Sequence, residues 1–327
     1  MYLERKTIGG KVYNYLKVSA RYKDKVRTKS IAYLGKGVLQ KEQLKKERDK
    51  YRLKAEIAKK QAVEELMIEA DKKAEKFLEP EQLKKINEIK EEFGRKLKGT
   101  DEKLKQDMFN DFITLYAYNT NAIEGNTFTL RDTDLLLNKG ITPQGKSLRE
   151  ANDQLNAKEA FEYILKEKPS ITHELIIKIN SMLLKNIDLR IGAYRSHNVR
   201  VFGARFETSS AEYVKIDMEI LLKWYRKNKN KLHPLVLAAA FHHKFERIHP
   251  FYDGNGRTGR ILLNLILLQN NLPPLIVPDA QRKKYYDALD TADSAGIDRL
   301  QPEHKAIIVF CYYCLLKAYN TVFKRWG

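Results

Sequence analysis

HPFYDGNGRTGR, residues 249–260, sets one histidine, one aspartate, three glycines and two arginines into a single short window. Gly254, Gly256 and Gly259 spell G-x-G-x-x-G, the dinucleotide-binding fingerprint, and Asp279 lies about twenty residues further on. That fingerprint follows a buried strand. Here the preceding LVLAAAFHHKFERI keeps a helical period and runs into His249-Pro250, so the window joins two helices and the Rossmann reading fails. The fold is therefore expected to be mainly α rather than doubly wound α/β.

The chemistry of the window survives that exclusion. A Gly-Asn-Gly turn lets successive backbone N–H groups point into one concavity, and RTGRILLNLILLQ behind it reads as a helix whose N-terminus adds partial positive charge. Such a turn cradles phosphates. Arg257 and Arg260, three apart, lie on one face of the first turn and can each fork onto phosphate oxygens. Positive side chains there oppose the helix dipole, a cost that a bound anion relieves. Asp253 beside the cradle suits a Mg²⁺ ion bridging phosphates, because Mg²⁺ takes one or two carboxylates plus substrate oxygens. His249 is the residue type that accepts a proton from an attacking hydroxyl near neutral pH. Together these residues describe group transfer from a nucleoside polyphosphate.

Working outward, apolar residues recur at three and four in QLKKINEIKEEF, KLKQDMFNDFITLYAY, LREANDQLNAKEAFEYIL, HELIIKINSMLL, DMEILLKWY, RILLNLILLQ and KAIIVFCYYCLLKAY, joined by Gly, Pro and Asn signals. Residues 81–327 are thus expected to be one helical domain, interrupted by a short hairpin at RVFGARFET, residues 200–208. Residues 37–80 carry no proline before Pro80 and are rich in Lys, Glu, Ala and Leu, which predicts one long charged helix over about 38–79, a spacer or coiled-coil arm. Residues 1–36 hold β-branched and aromatic runs broken at Gly9-Gly10 and Lys23-Asp24, which predicts a small antiparallel sheet of three strands.

The chain has 327 residues and a net charge of +19, of which +8 falls in residues 1–40. Lysines clustered so densely gain free energy by releasing counterions from a phosphate backbone, so the first module is expected to meet an anionic partner, with a merely solvated basic surface as the alternative. The apolar runs PLVLAAAF and ILLNLILL fall short of the roughly 18 residues a membrane span needs. The start MYLERKTIGG has no apolar signal core, and Cys311 and Cys314 are the two cysteines, so a cytoplasmic protein without a disulfide framework is expected.

HPFYDGNGRTGR resembles the signature of the Fic family, His-x-Phe-x-Asp/Glu-Gly-Asn-Gly-Arg-x-x-Arg, with every fixed position filled, and the likeness extends over roughly 105–320. The resemblance implies a mainly helical Fic-type fold with a small β-hairpin flap, and transfer of AMP from ATP to a hydroxyl side chain of a target protein. It implies His249 as base, Phe251 as the loop's buried anchor and Asp253 as the Mg²⁺ ligand. Gly254, Asn255, Gly256, Arg257 and Arg260 would form the phosphate site.

TNAIEGNTFTL, residues 120–130, resembles the family's inhibitory motif, Ser/Thr-x-x-x-Glu-Gly/Asn, which puts the glutamate at Glu124 and its partner at Arg260. A carboxylate occupying an arginine meant for the γ-phosphate misaligns ATP, so the α-phosphate is not presented in line to the nucleophile. The plainer reading of the same stretch is a turn before the capping box Thr129–Asp132. GAYRSHNVRVFGARFE resembles the segment entering the target-docking flap, which would place Val201, Phe202 and Gly203 in it; TSSAEYV follows where the family often has prolines. KYYDALDTAD resembles the helix contacting the nucleoside, with Tyr285 and Tyr286, and carries Asp293 where the family often has Asn. Asn264 is a further candidate near the nucleotide, or a packed helix residue.

Two spacings compete. His242, Glu246 and His249 fall at i, i+4 and i+7, a spacing zinc could use, but H-E-x-x-H is absent and Pro250 ends the helix. Cys311 and Cys314 form C-x-x-C inside an apolar helical run and read as core. KVYNYLKVSARYKDKVRTKSIAYLGKG resembles the small β-module at the start of some transposases, which fits nucleic-acid binding by charge and tyrosines, or a docking module for a protein target. The sequence thus supports an auto-inhibited protein adenylyltransferase, with removal of AMP, Glu124 then positioning a water, or transfer of another nucleotide as related chemistries; a homo-oligomer is compatible with either direction. The alternative class is a nucleic-acid-binding regulator whose Fic-like domain senses nucleotide.

Overall fold

The computed structural model describes residues 1–22, 25–71, 74–200 and 207–326. The chain divides into two compact units, one built on Met1–Ala74 and the other on Glu75–Lys229 and His233–Gly327.

In the first unit β1 (Tyr2–Ile8), β2 (Lys11–Tyr22) and β3 (Lys25–Lys36) form an antiparallel sheet in the order β1-β2-β3. Gly9 and Gly10, at φ of 55° and 75°, supply the two positive-φ positions that a tight right-twisted hairpin requires. Lys23 and Asp24 lie outside the described residues. Strand alternation sends Leu16, Val18 and Ala20 to one face, where with Ile31 they are buried. Such a sheet is marginal alone, and α2 (Arg52–Asp71) covers that face, with Ala55 in the small core formed by Leu16, Val18 and Ile31.

This corrects the expectation of one spacer helix. The stretch forms α1 (Lys41–Lys50) and α2, broken at Tyr51, and α2 stops at Asp71. Tyr51, Ala55 and Ala58 pack against the sheet, so the helix is the other half of the β module's core. Glu65 on α2 reinforces this with ion pairs to Lys29 at 2.6 Å and Arg27 at 3.0 Å. The expected segments 1–36 and 37–80 are thus largely one unit, and the second unit begins at Glu75, before Pro80, with Phe77 and Leu78 buried.

The second unit is helical: α3 (Pro80–Gly99), α4 (Glu102–Ala122), α5 (Leu130–Lys139), α6 (Leu148–Glu167), α7 (His173–Leu183), α8 (Val214–Asn228), α9 (Pro234–Ile248), α10 (Asn255–Gln269), α11 (Arg282–Thr291) and α12 (Lys305–Thr321). Helices α9 and α10 are buried on nearly all sides, which makes them the centre of the bundle. Against α10 pack α4, α6 and α7; against α9 pack α8 and α12. The window 249–260 therefore sits at the joint of the two most buried helices. Residues 302–325 are long and apolar enough to cross a membrane by length and composition; Ile308, Cys311, Leu315 and Tyr319 within them are buried against the protein. The expected flap residues Val201, Phe202 and Gly203 lie outside the described residues.

Candidate active site

Helix α9 ends because His249 takes a left-handed conformation, φ 53°, a strained choice for a residue with a Cβ. Arg195, 2% exposed, holds it there: its Nε donates to the His249 carbonyl at 2.7 Å, and its backbone N–H donates to the Pro250 carbonyl at 2.9 Å. Phe251 is buried against Tyr194 and Phe245. Asn255 then closes the loop on itself, accepting from the Phe251 N–H and donating to the Phe251 carbonyl, both at 2.9 Å. Asn180 on α7 donates to the Asp253 carbonyl at 3.0 Å. Gly254, at φ 74°, leads into α10, and a Cβ there would stand 3.0 Å from Asn180 Nδ2. The loop is thus fixed from three separate helical or loop segments before any ligand arrives.

His249 carries the chemistry that this loop positions. Its Nδ1 lies 3.3 Å from the Glu246 carbonyl, a partner that can only accept, so Nδ1 bears the proton and Nε2 is left with a lone pair. Burial pushes its pKa down to about 4, so the ring is neutral at pH 7.

The N-terminus of α10 has no side-chain cap. Its first hydrogen bond of the helical ladder runs from Thr258 N–H to the Gly254 carbonyl at 2.9 Å, which leaves the N–H groups of Asn255, Gly256 and Arg257 ahead of it as first-turn donors. The Asn255 side chain is spent on Phe251, so its part in the cradle can come only from the main chain. Arg257, 5% exposed, bonds Asp153 and lies 3.3 Å from Asp253. Burial raises the Asp153 pKa, with the Arg257 charge opposing. Asp253 caps the Gly254 N–H at 2.6 Å with one oxygen, and its other oxygen meets the exposed Arg149 at 3.0 Å.

Arg260, 3% exposed, is held by Thr120 in the last turn of α4 and by Glu124 just beyond it. Its Nε donates to Thr120 Oγ1 at 2.8 Å and its Nη2 to the Thr120 carbonyl at 3.0 Å and to Glu124 Oε1 at 2.7 Å. Burial is the largest single influence on the guanidinium and would lower its pKa; the Glu124 carboxylate, together with Tyr285 and Tyr116, overcomes it, so the net direction is upward. The capping box at Thr129 and Asp132 also forms, just after the Glu124–Arg260 ion pair in the chain. A Cβ at Gly256 would press on Glu124 Oε1 and stand 3.0 Å from Arg260 Nη1, so a side chain there would displace the ends of this pair.

Tyr285 is 1% exposed, its hydroxyl 2.7 Å from His242 Nε2, and the Arg260 guanidinium stands 6.0 Å from its ring. Tyr286 stays 38% exposed beside it. His242 is a support for Tyr285, and among the described residues no cluster of metal-ligating groups exists. His243 meets Asp293 at 3.3 Å and His304 edge to face. Asn264 pins the Leu275 backbone by two bonds of 2.8 and 3.1 Å, a structural role away from the cradle. Cys311 and Cys314 are buried core thiols.

Arg195, Asn180, Asp153 and Thr120 escaped the sequence reading as site residues. Asn180 could have been found: it is a polar residue at a buried phase of α7, among Ile176, Ile179 and Leu183. Arg195 and Asp153 carry no comparable periodic signal.

Residues 170–267 match the family model described as the Fic/DOC family. Protein adenylyltransferase fic-1 of Caenorhabditis elegans is 33% identical over 217 residues, which is 64% of this chain and 42% of that protein. Protein adenylyltransferase Fic of Nematostella vectensis is 37% identical over 188 residues, 56% of this chain and 44% of that one. The chain thus spans less than half the length of these curated relatives. Among solved structures, a Fic-domain-containing signaling protein from Bacteroides thetaiotaomicron superposes with a TM-score of 0.67 at 26% identity, covering 74% of this chain and 97% of that one. Fic-1 (aa134–508) of C. elegans gives 0.62 at 26% identity, covering 83% and 78%. The complete signature at the joint of α9 and α10 falls inside the stretch that matches the Fic/DOC family model.

Proposed function

We propose that this chain is a protein adenylyltransferase, moving AMP from ATP to a Ser, Thr or Tyr hydroxyl of a target protein and restrained by its own Glu124. The observation that carries the reading is a neutral His249 with its Nε2 lone pair free, fixed five residues before Gly254, where α10 begins without a side-chain cap. The names of the curated relatives support the same chemistry.

In that reaction the target hydroxyl oxygen attacks the α-phosphorus of ATP, and its proton passes to His249 Nε2. The bond from the α-phosphorus to the bridging oxygen breaks, and pyrophosphate leaves. The N–H groups at the start of α10 and the guanidinium of Arg257 would hold the phosphate oxygens, in a site where burial strengthens each contact. Asp253 fits a Mg²⁺ ion: it is a single carboxylate, 34% exposed, with one oxygen engaged only by an exposed arginine. Such an ion neutralises phosphate charge when bound.

Arg260 is the candidate for the γ-phosphate, and Glu124 occupies it at 2.7 Å. Displacing that carboxylate would let the triphosphate extend, so that the α-phosphate meets the hydroxyl in line. Two ATP samples, labelled on the α- or the γ-phosphate, test the reading on Glu124→Gly protein. Protein-bound label from the α-position alone is expected. Label retained from the γ-phosphate would instead mean phosphoryl transfer, and retention of neither would leave a nucleotide sensor.

A further inference from the structure

From the N-terminal unit we infer that the solvent face of its sheet is a binding surface for single-stranded nucleic acid. Alternation along β2 gives that face Tyr13, Tyr15 and Lys17, opposite the buried Leu16 and Val18. Register adds Tyr2, Glu4 and Lys6 from β1, and Tyr33 and Lys36 from β3. The tyrosines form one cluster: Tyr33 lies 5.3 Å from Tyr15 and 6.4 Å from Tyr13, centroid to centroid. Lysines crown it, with Lys6 Nζ 5.9 Å over the Tyr15 ring and Lys36 Nζ 5.2 Å over the Tyr13 ring.

The sheet's stability does not require this arrangement. Its core is on the other face, under α2, and there Arg27 and Lys29 both meet the Glu65 carboxylate. Cross-strand aromatic pairs contribute to any sheet. Yet Tyr33 remains 50% exposed and Tyr2 40%, and the one acid among these facing side chains, Glu4, is held by Lys17 at 2.7 Å. What is left is positive charge at the edge of an exposed aromatic cluster.

Two features of a partner match it. Lysines answer a polyanion, and rings answer flat π-faces; a single strand offers both, because its bases are unstacked and its phosphates are regularly spaced. A duplex hides base faces and shows groove edges that are read by guanidinium and amide forks, which this cluster of tyrosines does not present. An acidic protein segment would satisfy the lysines and leave the rings without a role.

The test is fluorescence anisotropy of the full chain with a labelled oligothymidylate of about 20 nucleotides. Affinity is expected to fall steeply between about 50 mM and about 200 mM salt. Tyr33→Ala should weaken binding roughly tenfold while Tyr33→Phe retains it, as stacking predicts. Lys6→Glu with Lys36→Glu should weaken it further, and circular dichroism of each variant checks that the sheet is intact. No binding at low salt would overturn the inference. So would a duplex of equal length or polyglutamate binding as tightly as the single strand, or Tyr33→Ala binding like the parent.

Discussion

At the start of α10, Arg257 and Arg260 are 5% and 3% exposed and their guanidinium groups meet Asp153, Asp253, Thr120 and Glu124. On the N-terminal sheet the lysines remain at the surface, resting on tyrosine rings. The same excess of positive charge is managed in two ways. Buried charge is desolvated, so each cation must be matched by a fixed acceptor, and exchanging that acceptor for a ligand changes what the site does. Surface charge is screened by salt, is interchangeable, and acts through its sum.

The largest effect that would separate the two regions is on the chemical step. Removing the base by His249→Ala should lower the transfer rate by about 10²- to 10⁴-fold, while ATP still protects the protein against heating. Loss of ATP protection as well would mean that the histidine holds the loop rather than the proton.

Packing around the buried charges gives the next. A Cβ at Gly259 would stand 2.6 Å from Glu246 Oε1 and 2.8 Å from His242 Nδ1, both of them buried atoms without a hydrogen-bond partner. Gly259→Ala should therefore destabilise by about 1–3 kcal/mol, read as a lower Tm. An unchanged Tm would show that the region behind α10 is loosely packed.

Buried histidines should also make the helical unit acid-sensitive. Burial lowers His242, His243 and His304 to about 3 and His249 to about 4, against an ordinary 6.5. Below pH 6.5 the unfolded chain takes up protons that the folded chain refuses, so this stability is complete above 6.5 and is lost as pH falls through about 4 for His249 and about 3 for the other three. Glu246, raised to about 8 by burial, Asp293, raised to about 6, and the raised Asp153 and Asp111 act in the opposite direction, while Glu150 and Asp188, lowered to about 2 by their hydrogen bonds, act with the histidines at the acid end. A Tm that declines between pH 6.5 and 4 is expected. The smallest effect belongs to the sheet: Lys36→Ala should change stability by less than about 0.5 kcal/mol, measured by urea unfolding.

How much was legible in the sequence follows the same division. The loop 249–260 could be read because its chemistry is contiguous: the base, the anchor, the turn glycines and the first helical turn are all local. The three strands were legible too, since alternation and the Gly9-Gly10 turn are local signals. Arg195, Asp153 and Thr120 reach the site from distant segments, and nothing in their immediate sequence announces a long-range bond. The split at Tyr51 was missed for a related reason. No glycine or proline marks it, and the helix there follows the sheet it packs against.

The measurement that bears most directly on the central claim is intact-mass analysis after incubation with ATP and Mg²⁺. It compares the parent chain, Glu124→Gly, and Glu124→Gly combined with His249→Ala. If Glu124 restrains transfer by occupying Arg260, the single variant gains the mass of AMP, the parent gains far less, and the double variant gains none. Equal modification of the parent and Glu124→Gly would contradict the claim, whatever else the site can do.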